Sequence, residues 1–281
     1  MESVLNYGRE FEFTTAHFSK VKSDLYEYAG IVLADHKKDM AYNRLVRRLR
    51  ALSIMSFDDY FLYIDSNPQE FSEFINALTT NLSGFFRERH HFDFIKSMIV
   101  PKIRESKAQS VRVWSAGCSS GEEAYSIAMT LAQEIPNISQ YDIKILATDI
   151  DSSVLQAAQL GIYDLDRVSD LGEDILRRFF LKGVGSRAGK VQVIEELKGA
   201  VSFKHLNLIN HWPMKGQFDF IFCRNVMIYF NRETQQELVQ NFYRYLKDDS
   251  YLFVGHSEAL AHHTSDFSLI GKTIYQKKVS L

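Results

Sequence analysis

From about Phe18 to Arg104 the apolar residues recur at three- and four-residue intervals and turn-forming residues are sparse, a pattern that predicts helices. Within this stretch, Asp39 to Leu52 sets Tyr42, Leu45, Val46 and Leu49 on one face and gathers Arg44, Arg47 and Arg48 on another, giving an amphipathic helix with a basic outer side. Ser66-Asn67-Pro68 interrupts the pattern, because a residue before proline is disfavoured in the α conformation, and the next helix is predicted from Gln69 to Leu78. A further helical stretch starts at Arg87 and ends before Pro101 or shortly after it. Beyond Ser110 the period changes. Short β-branched or aromatic runs (VRVW, IKILATD, VSFKHL, FDFIFC, YLFVG) alternate with helical segments such as Glu122 to Glu134 and Glu233 to Leu246, which predicts a mostly parallel sheet covered on both faces. Between them, Asp174 to Val201 carries LKGVGSRAGKVQVI, whose glycine-rich turn between short apolar runs predicts a small antiparallel insert over about residues 174–202.

Length and composition agree with this division without adding to it. The chain has 281 residues, enough for two unequal domains: a helical one over residues 1–80 and an α/β one over 105–281, joined by a linker and helix over 81–104. At 46% hydrophobic and 24% charged residues it lies outside the disordered and fibrous classes. Charge narrows function further. With 33 Lys and Arg against 35 Asp and Glu, no global positive field draws the chain to nucleic acid or anionic lipid, so basic recognition must be local. The two cysteines, Cys118 and Cys223, form no CxxC pair, which fits a reducing, cytoplasmic compartment. MESVLNYGREFEFT lacks the basic start and apolar run of a signal peptide, and no window approaches the ~20 apolar residues of a membrane span. A soluble, unexported protein is expected, with no membrane insertion.

The candidate chemistry sits at strand ends. The first strand runs into Gly117-Cys-Ser-Ser-Gly121 and a helix beginning Glu122-Glu123, which puts a glycine turn at the carboxyl end of a strand, where α/β sheets bind ligands. The turn is neither GxGxxG nor a P-loop, and two carboxylates stand where a pyrophosphate would need positive potential, so phosphate ligands are disfavoured. A ligand presenting an amine or a sulfonium would welcome a carboxylate there, and S-adenosylmethionine carries both. The plainer reading, that Glu122 and Glu123 complement the helix dipole, stays open at this point. Asp149, ending the second strand, can accept both hydroxyls of a ribose, whereas Asp151, before Ser-Ser and an apolar run, reads as a helix cap. FDFIFC empties into Arg224-Asn225-Val-Met-Ile-Tyr229-Phe230 beside the glycine turn, where a transferable methyl would sit. No Asn-Pro-Pro-Tyr run is present, so an amine acceptor is not expected.

Together, Asn81-Leu-Ser-Gly-Phe-Phe-Arg87-Glu-Arg-His-His-Phe92, Trp114-Ser-Ala-Gly-Cys-Ser-Ser-Gly-Glu-Glu-Ala-Tyr-Ser126, Ala147-Thr-Asp149, Cys223-Arg-Asn-Val-Met-Ile-Tyr-Phe230 and Gly255-His-Ser-Glu258 resemble the chemotaxis receptor methyltransferases, the CheR family. The resemblance runs in matching order from about Tyr26 to Tyr275. It implies an all-α N-terminal domain and a Rossmann-like, class I methyltransferase domain with an antiparallel C-terminal strand. It also implies an enzyme that esterifies receptor glutamates from S-adenosylmethionine, leaving S-adenosylhomocysteine. On that resemblance Asn81, Ser83 and Arg87 match the cofactor-contacting stretch, with Arg87 toward the methionine carboxylate. Gly117 belongs to the glycine turn, Glu123 lies near the amine, and Asp149 is at the ribose. Asn207, Leu208, Arg224 and Asn225 line the adenosine and methionine parts, and Tyr229 lies near the methyl. Ser83 stands where Thr is frequent and Ala124 where Pro is frequent; the hydroxyl is kept and alanine suits an early helical turn, so neither departure puts activity in doubt.

The implied partners are the cytoplasmic methylation helices of chemoreceptors, met by the Arg44, Arg47 and Arg48 face, and in some relatives a receptor tail peptide added at the insert shaped by Gly183, Gly185 and Gly189. A monomer is expected, with no nucleic acid partner. His90-His91 and His262-His263 invite a metal reading, but adjacent histidines point to different sides and no acidic or Cys ligand keeps a fixed spacing with them, so no metal is expected. Cys118 and Cys223 read as small structural residues. Two other functions stay in view: a methyltransferase for RNA or a small molecule, and a non-catalytic module that binds the cofactor or the receptor.

Overall fold

A computed structural model describes residues 9–105, 110–135, 141–260 and 266–279. The chain divides into two compact units: the residues up to Thr80 together with Tyr229–Asn231, and Asn81–Ile228 together with the chain from Arg232 onward.

The first unit is built from α1 (Thr15–Ala29), α2 (Lys38–Leu52), α3 (Phe57–Ser66) and α4 (Pro68–Leu78). Local chemistry sets their starts. Thr14 accepts the His17 N–H at 3.1 Å while its own N–H donates to His17 Nδ1, a capping box with histidine in the usual Glu position. Ser56 Oγ caps α3, and Asn67 caps α4 with Pro68 as its first residue, so the Asn-Pro pair that breaks the pattern is also the start of the next helix. The predicted face of α2 is the buried one: Tyr42, Leu45, Val46 and Leu49 pack inward with Phe13, Phe18, Phe57 and Phe74. Each such side chain contributes roughly 1.5 to 3 kcal/mol of burial. Tyr229–Asn231 join this unit through a Val32 N–H to Tyr229 carbonyl bond of 2.8 Å, an isolated Ile31–Phe230 bridge and an Asn231 to Tyr26 hydroxyl bond of 2.9 Å.

The second unit opens with α5 (His90–Phe94), a π-helical turn over Ile95–Ile99 and α6 (Val100–Glu105). Pro101 therefore lies inside a helix. The wider turn just before it removes the clash between the proline ring and the carbonyl four residues back, which a regular α-helix could not do without kinking. The elements that follow are β1 (Ser110–Ala116), α7 (Glu122–Glu134), β2 (Asp142–Asp149), α8 (Ser152–Leu160), β3 (Ile162–Asp164), α9 (Glu173–Phe179), β4 (Phe180–Lys182), β5 (Lys190–Val193), α10 (Glu195–Ala200), β6 (Val201–His205), β7 (Phe218–Cys223), α11 (Arg232–Tyr245), β8 (Leu246–Val254), β9 (Phe267–Gly271) and β10 (Ile274–Lys277).

The main sheet has the order β6-β2-β1-β7-β8-β10-β9, parallel through β8, with β10 antiparallel to both its neighbours. Its C-terminal end thus holds two strands, β10 and β9, where the resemblance implied one. All five runs read as strands lie in it. From β1 the chain builds outward to β2 and β6, then returns to add β7 and β8 on the other flank, so the strand order reverses beside β1 and opens a crevice at the carboxyl ends. α7 is buried from Glu122 to Ala132, around its whole circumference rather than on one face. The small sheet, β3-β5-β4, is antiparallel and takes in Ile162–Asp164, so it reaches back before residue 174.

Candidate active site

At the carboxyl end of β1, Gly117 adopts φ +78° and faces Val226: a Cβ there would come within 2.2 Å of Val226 Cγ2. No other residue fits. The Gly117 and Cys118 N–H groups both donate to the Thr148 carbonyl, at 2.8 and 2.9 Å, which ties the turn to the end of β2. Asp149 completes that tie. Its buried carboxylate accepts the Ser119 N–H at 2.8 Å through Oδ2 and the Asp151 N–H at 3.0 Å through Oδ1. Burial pushes its pKa up and these N–H groups hold it down. Each oxygen retains acceptor capacity for a further donor, such as a ribose hydroxyl. Asp151 caps α8, accepting from Ser153 and Val154, and takes a 2.6 Å bond from the Asn81 side chain.

Glu123, also buried, accepts from Ser115 Oγ at 2.7 Å and from Arg224 Nη1 at 2.9 Å. Burial raises its pKa most strongly, and Arg224 and Ser115 oppose the rise. Arg224, itself buried, also donates to the Arg87 carbonyl at 2.6 Å and stands 3.5 Å from Glu88. Its guanidinium thus ties the start of α7 to residues 87 and 88. Glu122 pairs with Arg167, a partner with no signal in the local sequence.

Residues 81–86, read from sequence as a linker, and 87–89, read as the start of a helix that in fact begins at His90, are sewn onto the sheet unit. Besides Asn81–Asp151 and Arg224–Arg87, Ser119 Oγ donates to the Asn81 carbonyl, Arg167 to the Ser83 carbonyl, and the Phe86 N–H to Ser126 Oγ. Phe86 and Glu88 hold positive φ values of 51° and 58°, a strain these bonds maintain. Arg87 is exposed, and among the described residues its side chain makes one hydrogen bond, 3.0 Å to the Leu82 carbonyl. Asn207 and Leu208 follow β6, and the Leu206 N–H donates to the Asp149 carbonyl at 3.0 Å. Asn225, at φ +59°, follows β7.

Asn81, Ser83, Arg87, Gly117, Glu123, Asp149, Asn207, Leu208, Arg224 and Asn225 therefore gather around the same strand ends. Tyr229, which follows the same β7 loop, is grouped with the helical unit. The three arginines of α2 are divided. Arg44 donates to the Ala77 and Thr79 carbonyls at the end of α4, and Arg48 binds both oxygens of the buried Glu70, whose Oε1 also accepts from the Tyr60 hydroxyl. Only Arg47 is exposed. In the insert, a Cβ on Gly183 would meet the Arg187 carbonyl at 2.1 Å, while Gly185 and Gly189 take positive φ.

Contrary to expectation, the two adjacent histidines do not point apart. The rings of His90 and His91 lie 4.1 Å apart, and both histidines reach the Thr273 hydroxyl. Ligand atoms of Glu88, His90 and His256 lie within 4.8 Å of one another. Burial, with the nearby Arg224 and Lys272, lowers the pKa values of His90 and His91, and Arg224 already stands beside Glu88, so the local field opposes a further cation. His262 and His263 lie outside the described residues. Burial pushes the Cys118 and Cys223 thiols up, so they stay protonated and unreactive.

A glycine turn after β1, a carboxylate after β2 and a crevice at the strand reversal define a Rossmann-like domain that binds a nucleoside-bearing cofactor. Comparison with known proteins narrows this class. The CheR methyltransferase SAM binding domain matches residues 81–276, and the CheR methyltransferase all-alpha domain matches residues 16–79. The chain belongs to the CheR methyltransferase family, and its cofactor is S-adenosylmethionine. It is 45% identical over 275 residues to the chemotaxis protein methyltransferase of Escherichia coli, covering 97% of this chain and 94% of that one. It is 42% identical over 269 residues to chemotaxis protein methyltransferase 2 of Pseudomonas aeruginosa, covering 95% of each. To the chemotaxis protein methyltransferase of Salmonella typhimurium it is 44% identical over 275 residues, covering 97% of this chain and 93% of that one. These matches support an S-adenosylmethionine-dependent methyltransferase acting in chemotaxis. Among the described residues no helix is long and apolar enough to cross a membrane.

Proposed function

We propose that this protein transfers a methyl group from S-adenosylmethionine to glutamate side-chain carboxylates on the cytoplasmic helices of chemoreceptors, giving a methyl ester and S-adenosylhomocysteine. The observation that carries the reading is the family match across both units, joined to a strand-end site whose buried carboxylates, Glu123 and Asp149, suit an amine and a ribose rather than a phosphate. Arg87, exposed and engaged by a single carbonyl, is the proposed partner of the methionine carboxylate. Arg224 serves by holding Glu123 and the Arg87 backbone.

A glutamate at its ordinary pKa near ~4.3 is already a carboxylate at neutral pH, so the transfer needs no general base. The carboxylate oxygen attacks the methyl carbon, the carbon–sulfur bond breaks, and the sulfonium leaves as a neutral thioether. Rate comes from in-line alignment and partial desolvation of the ion pair that the step neutralises. Tyr229 is the proposed positioning group. Tyr229→Phe should lower turnover while the rate stays flat between about pH 6.5 and 8.5.

Arg47 is the remaining candidate on α2 for meeting an acidic receptor helix. In the insert Arg187 is exposed, and Lys190, also exposed, is paired with Asp164. Methyl incorporation into receptor-enriched membranes from labelled donor tests the function directly. Base-labile esters on receptor glutamates are expected, and labelling of RNA or small molecules alone would replace this reading.

A further inference from the structure

Gly255-His-Ser-Glu258, which follows β8, contains a buried carboxylate to which neither the sequence nor the cofactor site assigns a role. Glu258 Oε2 accepts the N–H groups of Gly255 at 2.6 Å and Asn225 at 2.7 Å, and Oε1 accepts those of Val226 at 2.7 Å and Ile228 at 3.3 Å. The residue is 6% exposed, and no Lys, Arg or His among the described residues pairs with it. Its negative charge is balanced by peptide dipoles alone, an arrangement in which converging N–H groups cradle an anion. Three of those four donors belong to the loop that leaves β7, and the fourth belongs to its own turn.

That loop bears on the cofactor turn from two sides. Val226 fills the space in front of Gly117, so closely that a Cβ on Gly117 would meet Val226 Cγ2 at 2.2 Å. A Cβ on Gly255 would meet the Asn225 side-chain nitrogen and Glu258 Oε2, both at 2.7 Å, so the Glu258 turn and the loop are packed as tightly as the loop and the glycine turn. Asn225 sits at φ +59°, a conformation it keeps because its N–H is held.

We infer that Glu258 is a positioning residue for cofactor binding: its carboxylate gathers the 225–228 backbone, sets Asn225 in its left-handed conformation and presses Val226 against the glycine turn at Gly117. The inference rests on the S-adenosylmethionine-binding domain and not on the receptor substrate. A chain that binds the cofactor and methylates no receptor would sink the function proposed above and leave this one standing.

Glu258→Gln makes the distinction. The amide keeps the shape but turns one end into a donor facing two N–H groups, so one pair of bonds must break. In the native chain the amide resonances of Asn225, Val226 and Gly255 are expected far downfield because of their short charge-assisted bonds, and in the full-length variant they should move upfield. Those of Gly117 and Ser119 should follow as Val226 relaxes. Affinity for S-adenosylhomocysteine, measured by calorimetry, should fall about tenfold or more, while the thermal midpoint of the cofactor-free chain moves by only a few degrees. An affinity within twofold of the native value, whatever the change in melting, would reduce Glu258 to a purely structural group and overturn the inference. Should the variant fail to fold, scalar couplings across the hydrogen bonds from the Asn225, Val226 and Gly255 nitrogens to the Glu258 carboxyl carbon can be read in the native protein, and their absence would also overturn it.

Discussion

The helical unit and the sheet unit both bury a carboxylate against an arginine, and they do so to different ends. In the helical unit, Glu70 is clasped by Arg48, whose side chain remains 25% exposed and also stands 3.7 Å from Glu73, and by the Tyr60 hydroxyl; the group joins α2, α3 and α4. In the sheet unit, Glu123 and Arg224 are 10% and 3% exposed at the side chain, and they lie among strand ends rather than between helices. The first pair is a staple. The second ties the start of α7 to the strand ends proposed above as the cofactor site, where a cost of desolvation would be offset by the use of the charge.

The sharpest way to break the contrast is to remove each carboxylate. Glu123→Ala leaves the Arg224 guanidinium buried beside Glu88 alone and should cost about 3 to 5 kcal/mol of stability, read by denaturant unfolding of the cofactor-free chain, along with cofactor affinity. Glu70→Ala should cost less, about 1 to 3 kcal/mol, because Arg48 can turn to water, and should leave cofactor affinity untouched. Equal losses from the two variants would erase the distinction.

Acid should discriminate between the units next. Burial and the surrounding cations lower the His91 pKa to about 2, against 6.5 for the free imidazole. The native state therefore prefers neutral His91, a preference fully present above pH 6.5 and lost as pH falls toward 2, at about 1.4 kcal/mol per pH unit. Urea midpoints between pH 7 and 4.5 should show this slope in the native chain and a shallower one in His91→Phe. Identical slopes would show that His91 titrates alike in the folded and unfolded chain.

Arg87→Ala should weaken binding of S-adenosylmethionine by about 1.5 to 3 kcal/mol through loss of a charge-assisted pair, with little change in stability because the side chain is exposed. A calorimetric change below twofold would reassign Arg87 to the loop it holds at Leu82. The smallest effect belongs to the helical unit. Arg47→Glu should slow receptor methylation only at low ionic strength, with cofactor affinity as the internal control, since an exposed charge is screened within about 8 Å in physiological salt.

These expectations track what could be read along the chain. Strand and helix alternation was legible because it depends on neighbours two to four positions apart, and so was the cap at Asp151, where a side chain serves the backbone two and three residues on; at Asn67 only the break before proline was legible, not the cap. The glycine turn and Asp149 were legible because their spacing is itself the signal. The use of Arg44 and Arg48 was not, since their partners lie 22 to 35 residues away on α4 and beyond it. The hidden parts have similar causes. β3 is three residues long and acquires its meaning from β5, and the π turn before Pro101 is a strain solution rather than a pattern. The joint pull of His90 and His91 toward Thr273 spans some 180 residues of sequence. Glu258 was visible only as part of a motif, because what it holds is backbone, which carries no side-chain signature.

The two buried cysteines have a practical consequence. Cys118, in the glycine turn, and Cys223, at the end of β7, are the chain's only thiols, at 1% and 0% exposure. A thiol reagent therefore reacts only when that end of the sheet opens, so the labelling rate of each is a clock for opening. Because Cys118 lies in the turn proposed to receive the cofactor, bound S-adenosylhomocysteine should stretch its labelling time further than that of Cys223, and mass spectrometry of the two tryptic peptides gives both clocks from one native, unmodified sample.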